Sequence, residues 1–348
     1  MKPRILIRAP NHLGDCIMAL PMINETREAY PGSSVTVLAP ENLVELFEHN
    51  PAVDQTLSIP KQHVHGLIGV VKIKEIIARH KFDIGYVLPP SFGAASAFKL
   101  AGMKERVGYI ADGRRLLLSR PLPLPAPLNS EHRSDVYFNL LRRASGADLE
   151  YVRPKLFLND ADNKQAERLL DDFNVGSAEA FITIAFRAVA ESRRWGVERY
   201  AQLASWLVQE RGLKVVLVGS GDDRKSGDEM LAIIGKDRVV NLAGKTGLRE
   251  LAAVLSRAEL FIGNDSGPAH LSAAVGIPSV ILSGADDPAE TSPVSNRKRL
   301  VYLDHLDCIS CVKNKCPNKG DDFMRCMNEI SLEMVKQQVD ACLDDKTV

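Results

Sequence analysis

A short segment around residue 265 combines the residue types that bind phosphate at the start of a helix. Leu260–Ile262 are apolar and predict a strand, the small and polar run Asn264–Gly267 interrupts it, and Pro268 and His270 follow. Ser and Pro favour a helix start at this point. Backbone N–H groups and the positive end of the helix dipole then converge on one spot, so we predict an anion site beside Asp265 and His270. An ordinary βα turn is the alternative, although such a turn does not need four consecutive small or polar residues.

A second candidate, Asp15, follows the apolar run Arg4–Arg8 after a short loop. Gly14 allows a close turn, and the start of the helix expected there favours an ionised carboxylate. Asp15 is therefore a candidate base, or a hydrogen-bond acceptor, for a hydroxyl group. Capping of that helix is the competing interpretation.

Both halves of the chain show short apolar runs that alternate with helical patterns, which is typical of a parallel, doubly wound α/β sheet. The clearest strands are predicted at Arg4–Arg8, Ser34–Ala39, Asp83–Leu88 and Ala180–Ala185. We therefore predict two Rossmann-like domains over residues 1–172 and 178–330, followed by a helix within residues 331–348. In such sheets ligands bind outside the carboxyl ends of the strands.

The charge of the whole chain is balanced, but one region is basic. The 348 residues include 44 Lys and Arg and 44 Asp and Glu, so overall charge does not favour nucleic acid. Residues 61–143 carry 14 basic and 6 acidic side chains, a net of +8. This basic region suggests a phosphorylated substrate or acidic lipid headgroups, or else a solvated face. Residues 1–8 lack the apolar core of a signal peptide, and we expect a cytoplasmic protein.

Two glycine-containing motifs and a cysteine cluster suggest other kinds of site. Gly219-Ser-Gly221 lacks the third glycine of a dinucleotide fingerprint, and Gly244-Lys-Thr246 lacks the earlier glycine of a P-loop. Neither an NAD or FAD site nor a P-loop ATPase is predicted. In a cytosolic protein the cysteine spacing favours reduced thiols or a structural zinc site over disulfides. The cysteines concerned are Cys308, Cys311, Cys316 and Cys326.

Four segments together resemble glycosyltransferase family 9, the ADP-heptose:lipopolysaccharide heptosyltransferases. They are Leu13–Asp15, Arg193–Trp195, Leu242–Leu248 and Gly263–His270. The Cys-x2-Cys-x4-Cys-Pro element is also similar to one found in many members. The similarity extends over nearly the whole chain and is greater to the heptosyltransferase II branch than to heptosyltransferase I. It implies a GT-B fold, with two Rossmann-like domains on either side of a cleft and a C-terminal helix that packs back on the first domain.

The resemblance also implies roles for individual residues. Asp15 matches the family's catalytic carboxylate, which deprotonates the attacking acceptor hydroxyl. Acceptor contacts are expected in loops of the first domain, at Asn11, His12, Ser91 and Arg106. The donor diphosphate, sugar and ribose are expected to contact Arg193, Arg194, Asp223, Lys245, Thr246, Asp265, Ser266, Gly267 and His270.

Two segments depart from the family pattern. Arg193 replaces the usual Lys two positions before Trp195, which keeps the charge but changes the geometry. Phe186-Arg-Ala188 replaces a Pro-Gly-Ala turn after the first strand of the second domain. The donor loop, and the sugar that it selects, can therefore differ from those of other members.

The expected activity is inverting transfer of heptose from ADP-heptose to the lipopolysaccharide inner core, with no metal or other cofactor required. A cation and helix-end amides can take up the charge that develops on the leaving diphosphate. We expect a cytoplasmic monomer in peripheral contact with the inner membrane, without nucleic acid as a partner. Three alternatives stay open: the same fold with another nucleotide sugar or acceptor, a nucleotide-sugar 2-epimerase, and a binding protein without activity.

Overall fold

The computed structural model describes residues 2–125, 131–176, 179–235 and 237–344. The chain forms two compact units, Met1–Phe157 and Leu158–Val348. Each unit contains a parallel six-stranded sheet together with helices, which confirms the predicted α/β class.

The first unit is built on a sheet with its first strand at the centre. The strands are β1 (Arg4–Arg8), β2 (Ser34–Pro40), β3 (Gln55–Ile59), β4 (Ile84–Val87), β5 (Glu105–Tyr109) and β6 (Arg120–Leu122), in the order β3-β2-β1-β4-β5-β6. The helices are α1 (Leu13–Met18), α2 (Leu20–Ala29), α3 (Gly66–Ala78), α4 (Phe92–Leu100) and α5 (Arg133–Ser145). Ile5, Leu6 and Ile7 are fully buried, as expected for a central parallel strand. The strand order reverses between β1 and β4, so the loops after these strands lie at the topological switch point.

The second unit repeats this arrangement. Its strands are β7 (Phe181–Ala185), β8 (Lys214–Leu217), β9 (Val239–Asn241), β10 (Leu260–Asn264), β11 (Ser279–Leu282) and β12 (Lys298–Val301), in the order β12-β11-β10-β7-β8-β9. The helices are α6 (Asp160–Asp172), α7 (Val197–Gln209), α8 (Arg224–Ile234), α9 (Leu248–Ser256), α10 (Gly267–Val275), α11 (Pro288–Thr291), α12 (Arg325–Asn328) and α13 (Leu332–Asp344). Gly263 of β10 pairs with Ala185 of β7, so the two strands end side by side at the switch point.

Helix ends follow local sequence signals. Gly276, at φ 87°, ends α10, because only glycine adopts this left-handed conformation readily. At the other end of the chain, α1 begins at Leu13, so Gly14 is helical rather than part of a turn. The helical stretch that follows the loop after β1 is divided at Ala19 into α1 and α2.

The boundary between the two units follows Phe157, which is earlier in the sequence than the predicted domain change between residues 172 and 178. The reason is that α6 packs against α9 of the second unit. The C-terminal helix α13 packs against β11, β12 and α7 of its own unit, and its predicted contact with the first domain stays a prediction. Residues 345–348 of that predicted segment lie outside the described residues. Within the described ranges, no helix has the length and apolar character needed to cross a bilayer.

Candidate functional site

Asp265 and His270 lie beyond the carboxyl end of β10, beside the switch point of the second sheet. Asp265 is only 3% exposed, and His270 is also buried. His270 Nε2 lies 3.7 Å from Asp265 Oδ1, and the Ser283 hydroxyl donates a hydrogen bond to Asp265 Oδ2 at 3.4 Å. Ser266 and Gly267 form the start of α10, where the helix dipole is positive. The structure thus brings together the four residues predicted in this segment.

Ser266 occupies the N-cap position of α10, as predicted, but its side chain does not cap the helix. Its hydroxyl instead donates to the Asn264 carbonyl oxygen at 3.1 Å. The backbone N–H groups of Ala269 and His270 both donate to the Ser266 carbonyl oxygen, at 3.0 and 3.3 Å. The helix start is therefore stabilised by backbone hydrogen bonds.

The pKa of Asp265 is raised to about 7, first by burial and then by the nearby Asp286 carboxylate. Arg193 and Lys298 act in the opposite direction. Burial also raises the pKa of Asp286 to about 6, although Arg193 opposes this effect. Two carboxyl groups at this site therefore change charge near neutral pH, which is a property typical of functional sites.

Sequence reasoning missed two members of this charged group, Asp286 and Lys298. Asp286 follows β11, which pairs with β10, so its place at the same carboxyl edge is a signal that could have identified it. Lys298 begins β12 and donates a hydrogen bond to the Ser292 hydroxyl at 2.6 Å. Burial lowers the pKa of Lys298, and Asp265 opposes that change. No motif marks Lys298 in the sequence.

The two arginines predicted to bind phosphate have different partners. Arg193 Nη2 lies 2.5 Å from Asp286 Oδ1. Arg194 donates to two carbonyl oxygens of the loop after β7, from Nε to Ala188 at 2.8 Å and from Nη2 to Val189 at 3.1 Å. Arg193 thus belongs to the charged group around Asp265, whereas Arg194 stabilises its own loop. Of the two, Arg193 is the better placed phosphate ligand.

Asn264 connects this loop to β10. Its buried Oδ1 accepts hydrogen bonds from the Trp195 backbone N–H and the Tyr200 hydroxyl, both at 3.1 Å. The Trp195 indole N–H donates to the Ile330 carbonyl oxygen at 2.8 Å, and its ring packs edge-on against Tyr200. Because the Trp195 backbone and the Tyr200 hydroxyl both donate to Asn264 Oδ1, these hydrogen bonds connect the loop that carries Arg193 to the end of β10 and position it.

The loops after β8 and β9 approach each other at the carboxyl edge of the same sheet. A Cβ atom added to Gly244 would lie 2.6 Å from the Gly221 Cα, and Gly244 has φ 71°. Asp223 Oδ2 accepts from both the backbone N–H and the hydroxyl of Ser220 at 2.8 Å. Asp223 Oδ1 lies 3.3 Å from Arg187 Nε. Asp223 therefore stabilises the loop after β8, and its contact with the donor ribose stays a prediction.

Lys245 and Thr246 lie between β9 and α9 and are half-buried. The Lys245 ammonium lies 4.8 Å from the centre of the Phe173 ring, within the range of a cation–π interaction. This contact holds the Lys245 side chain beside Phe173, the residue that follows α6. The predicted donor contacts of both residues stay predictions.

A cavity of about 130 Å³ lies at the switch point of the first sheet. Asn11 and Ser91, two predicted acceptor residues, line it together with Arg8. Arg8 is buried, and its guanidinium donates to Asn11 Oδ1 at 2.5 Å and to the Ala9 carbonyl oxygen. Burial lowers the pKa of Arg8 to about 10. Sequence reasoning missed Arg8, although a charged residue at the end of an apolar strand is a usable signal.

Asp15 lies in the first turn of α1, and His12 is the exposed N-cap residue of that helix. Burial is the main cause that raises the pKa of Tyr137, and the Asp15 carboxylate raises it further. Asp15 has the same secondary effect on the pKa of the buried Cys16 thiol. Asp15 therefore lies just after the loop that follows β1, and the same loop contributes Asn11 to the cavity.

The model of glycosyltransferase family 9 (heptosyltransferase) matches residues 70–321, more than half of the sequence. The chain belongs to glycosyltransferase family 9. Lipopolysaccharide heptosyltransferase 2 of Escherichia coli K12 is 29% identical over 310 residues, which cover 86% of this chain and 88% of that protein. Lipooligosaccharide heptosyltransferase 2 of Haemophilus influenzae is 26% identical over 347 residues, covering 97% and 99%.

A solved structure supports the same family. The E. coli ADP-heptose lipopolysaccharide heptosyltransferase II matches with a TM-score of 0.81 and 25% identity, covering 99% of this chain and 100% of that chain. The comparison confirms the predicted two-domain GT-B fold. The family resemblance inferred from four short motifs is confirmed as well.

The segment Phe186–Ala188 departs from the turn usual in this family. The structure shows that Phe186 is buried in the core of the second unit. Arg187 contacts Asp223 and donates to the Ser226 hydroxyl at 3.4 Å. The departure therefore links the loop after β7 to the loop after β8.

Arg106, the remaining predicted acceptor residue, does not line the cavity. Its guanidinium donates to the carbonyl oxygens of Leu117 at 2.7 Å, of Lys104 at 3.0 Å, and of Met103. Because its guanidinium donates to these carbonyl groups, Arg106 connects β5 to the segments before and after this strand. The sequence shows its charge but not these partners.

The four clustered cysteines are neighbours in the structure. The pKa of Cys326 is raised to about 11, first by burial and then by Cys308, Cys311 and Cys316. All are free thiols, and the Cys316 sulfur accepts a hydrogen bond from the Met324 backbone N–H at 3.3 Å. In the part of the chain that the structure describes, no group of three or more His, Cys, Asp or Glu side chains is arranged to hold a metal ion. The structural metal site stays a prediction.

Proposed function

We propose that this chain is an inverting glycosyltransferase that transfers heptose from ADP-heptose to the inner core of lipopolysaccharide. The observation that carries the proposal is the charged group at the β10 switch point, where Asp265, His270 and Arg193 surround the start of α10. It occurs in a family 9 chain whose relatives of matching length are named heptosyltransferases. The family membership supports the activity, and the charged group supports the place of the donor.

The second unit binds the donor in this proposal. The positive end of α10 and the Arg193 guanidinium bind the diphosphate and stabilise the charge that develops on ADP as it leaves. Asp265 keeps a proton up to about neutral pH, so it can donate a hydrogen bond to a sugar hydroxyl as well as accept one. With this charge supplied by the chain itself, transfer requires no metal and persists in EDTA.

The first unit binds the acceptor and supplies the base. Asp15 takes the proton of the acceptor hydroxyl, whose oxygen forms a bond to the anomeric carbon while the bond from that carbon to the diphosphate oxygen breaks. Attack from the face opposite the leaving group inverts the anomeric configuration. Arg8 and Asn11 in the cavity after β1 offer hydrogen bonds to polar groups of the acceptor.

The central test is incubation of the chain with ADP-heptose and a set of truncated lipopolysaccharide cores, followed by mass measurement of the product. One acceptor should gain the mass of one heptose. Asp15→Asn should lower kcat by about 10²- to 10⁴-fold, because a general base is lost. Asp148→Asn, a change at an exposed residue of the same unit, is the matched control and should leave kcat unchanged. Full activity of Asp15→Asn on the nucleotide sugar without any acceptor would instead identify an epimerase.

The identity of the nucleotide is tested separately. A thermal-shift series with ADP, UDP, CDP and GDP should show the largest stabilisation with ADP, because a ligand that binds the folded state raises its stability. Stabilisation by UDP but not by ADP would reject ADP-heptose and favour another nucleotide sugar. Nucleotide binding without transfer to any acceptor would indicate a binding protein.

We also propose that the chain acts as a cytoplasmic monomer in peripheral contact with the inner membrane. The proposed acceptor is anchored in lipid, and the basic region of residues 61–143 is suited to an anionic surface. Cell fractionation at low and high salt tests this location. Recovery from the membrane fraction only at low salt is the expected result, and recovery in the outer membrane would contradict it.

A further inference from the structure

The first unit exposes large apolar side chains on three neighbouring elements. We call this surface the α3–α4 face. It consists of Leu67, Ile68 and Val71 on α3, Phe92 and Leu100 on α4, and Leu116 in the short 3₁₀ helix Arg114–Leu117. Leu67 is 87% exposed and Leu116 is 83% exposed. Because α3 contacts α4, and α4 contacts the 3₁₀ helix, the elements that carry these apolar side chains are neighbours in the first unit. Exposed apolar surface of this kind marks an interaction site.

The helical pattern of α3 shows that these side chains are not part of the core. Gly69, Ile73 and Ile77, spaced four residues apart, form the buried side of the helix. Leu67 and Ile68 are exposed, together with Val71 one turn later. The helix therefore has apolar residues on both its buried and its exposed sides. Packing within the first unit explains the apolar residues on the buried side of α3 but not those on the exposed side.

The charge around the α3–α4 face indicates what binds there. The face lies within residues 61–143, which carry 14 basic and 6 acidic side chains. Exposed basic residues on or beside its elements include Lys61, Lys72, Lys99, Lys104 and Arg115. Lys99 also donates to the Leu116 carbonyl oxygen at 3.3 Å, which connects α4 to the 3₁₀ helix. Two copies of this face would repel each other, whereas an anionic bilayer attracts the basic groups and accepts the apolar ones.

The α3–α4 face adjoins the cavity of the first sheet. Gly66, Val70 and Gly93 line that cavity, and their sequence neighbours Leu67, Val71 and Phe92 belong to the face. We propose that the α3–α4 face docks on an anionic phospholipid bilayer and presents the cavity to an acceptor held in that bilayer. The docking follows from the surface alone, whereas delivery of a lipid-anchored acceptor rests on the proposed function.

Vesicle flotation of the full chain tests the docking. Vesicles of phosphatidylethanolamine and phosphatidylglycerol in equal amounts should carry the chain upward, and vesicles of phosphatidylcholine should not. The double change Leu67→Gln/Ile68→Gln should weaken binding at least about tenfold, because two inserted apolar side chains are lost. Ile233→Gln is the matched control, since Ile233 is 75% exposed on α8 of the other unit, and it should change nothing.

The contribution of charge is tested in the same way. Lys72→Gln should weaken binding by about fivefold, as expected for one basic group at an anionic surface. Lys225→Gln is its control, because both lysines are exposed and form ion pairs within their helices, with Glu75 and Glu229 respectively. A wild-type chain that fails to float, floats equally with both vesicle types, or floats unchanged after Leu67→Gln/Ile68→Gln would overturn the proposal.

Two further measurements separate the alternatives. A wild-type dimer that becomes monomeric in Leu67→Gln/Ile68→Gln, measured by sedimentation, would assign the face to a second copy and overturn membrane docking. With a water-soluble, deacylated acceptor, the same variant should keep wild-type activity, because the face acts only through the membrane. If wild-type chain shows no transfer at all, the proposed function fails while the flotation result still decides the docking.

Discussion

Replacement of Asp265 by Asn tests whether ionisation of this buried carboxyl group destabilises the fold. The pKa of Asp265 is raised from 3.8 to about 7, mainly by burial. The folded chain therefore holds this proton more tightly than the unfolded chain. The corresponding stability is complete below about pH 4 and is lost as pH rises toward 7. Asn has a similar shape and cannot ionise, so the variant lacks this loss.

The magnitude follows from the pKa difference. Between pH 5 and pH 8 the ionisation of Asp265 lowers the free energy of unfolding of the wild-type chain by the equivalent of about 2 pKa units, which is at most about 2.7 kcal/mol. Asp265→Asn should therefore become more stable relative to the wild type by about that amount over this range. Titrating groups that do not interact with Asp265 contribute equally to both chains and cancel in the difference, whereas Asp286 and Lys298 interact with Asp265 and add to it.

Urea unfolding of both chains at pH 5 and pH 8 measures this effect. Asp148→Asn, at an exposed position, is the control and should show no pH-dependent difference from the wild type. A relative gain below about 0.5 kcal/mol, or a gain of opposite sign, would refute the reasoning that burial controls this pKa. The same variant should lose affinity for the donor, which would separate its effect on stability from its effect on binding.

Three other substitutions test single contacts. Arg249 of α9 forms an ion pair with Asp162 of α6, and both side chains are largely buried. Arg249→Ala removes this cation from the Asp162 carboxylate, and urea unfolding should show a loss of about 3–5 kcal/mol, whereas a loss below about 1 kcal/mol would indicate a solvated pair. Gly244→Ala should lower the free energy of unfolding by about 1–3 kcal/mol, because Gly244 has φ 71° and the added Cβ would clash with the Gly221 backbone. The same variant should bind ADP more weakly in calorimetry, and unchanged binding would contradict this expectation. Arg193→Gln should weaken ADP binding about tenfold or more, whereas Arg194→Gln should have little effect, and equal losses would argue against the assignment.

The central strands and the segment at residue 265 could be predicted because their signals are local. Fully buried strands are continuous apolar runs, and glycine and proline mark the ends of elements. Thus the strand was expected at Leu260–Ile262 and is observed at Leu260–Asn264, and α10 begins at Gly267, where Ser and Pro predict a helix start. The edge strands β3, β6 and β12 were not predicted. They are partly exposed and include polar or charged residues, so their sequences lack the apolar pattern of the central strands.

The candidate site was predicted only where its residues are close in sequence. Asp265 and His270 belong to one turn, whereas Asp286 and Lys298 join them because β11 and β12 lie beside β10. A single sequence does not give this strand order. Arg106 and Arg194 were predicted to bind ligands because they are charged. In the structure their guanidinium groups instead donate hydrogen bonds to backbone carbonyl oxygens. Only the folded backbone brings those carbonyl groups into place.

The position of α13 has a consequence for synthesis of the protein on the ribosome. Each unit is one continuous stretch of chain, so the first can fold while the second is still being translated. The second unit differs, because α13 packs against β11, β12 and α7, and those strands keep an uncovered apolar surface until α13 emerges. Parallel sheets fold slowly, which lengthens this exposure. Nascent chains stalled just before Leu332 should therefore be the species most dependent on chaperones.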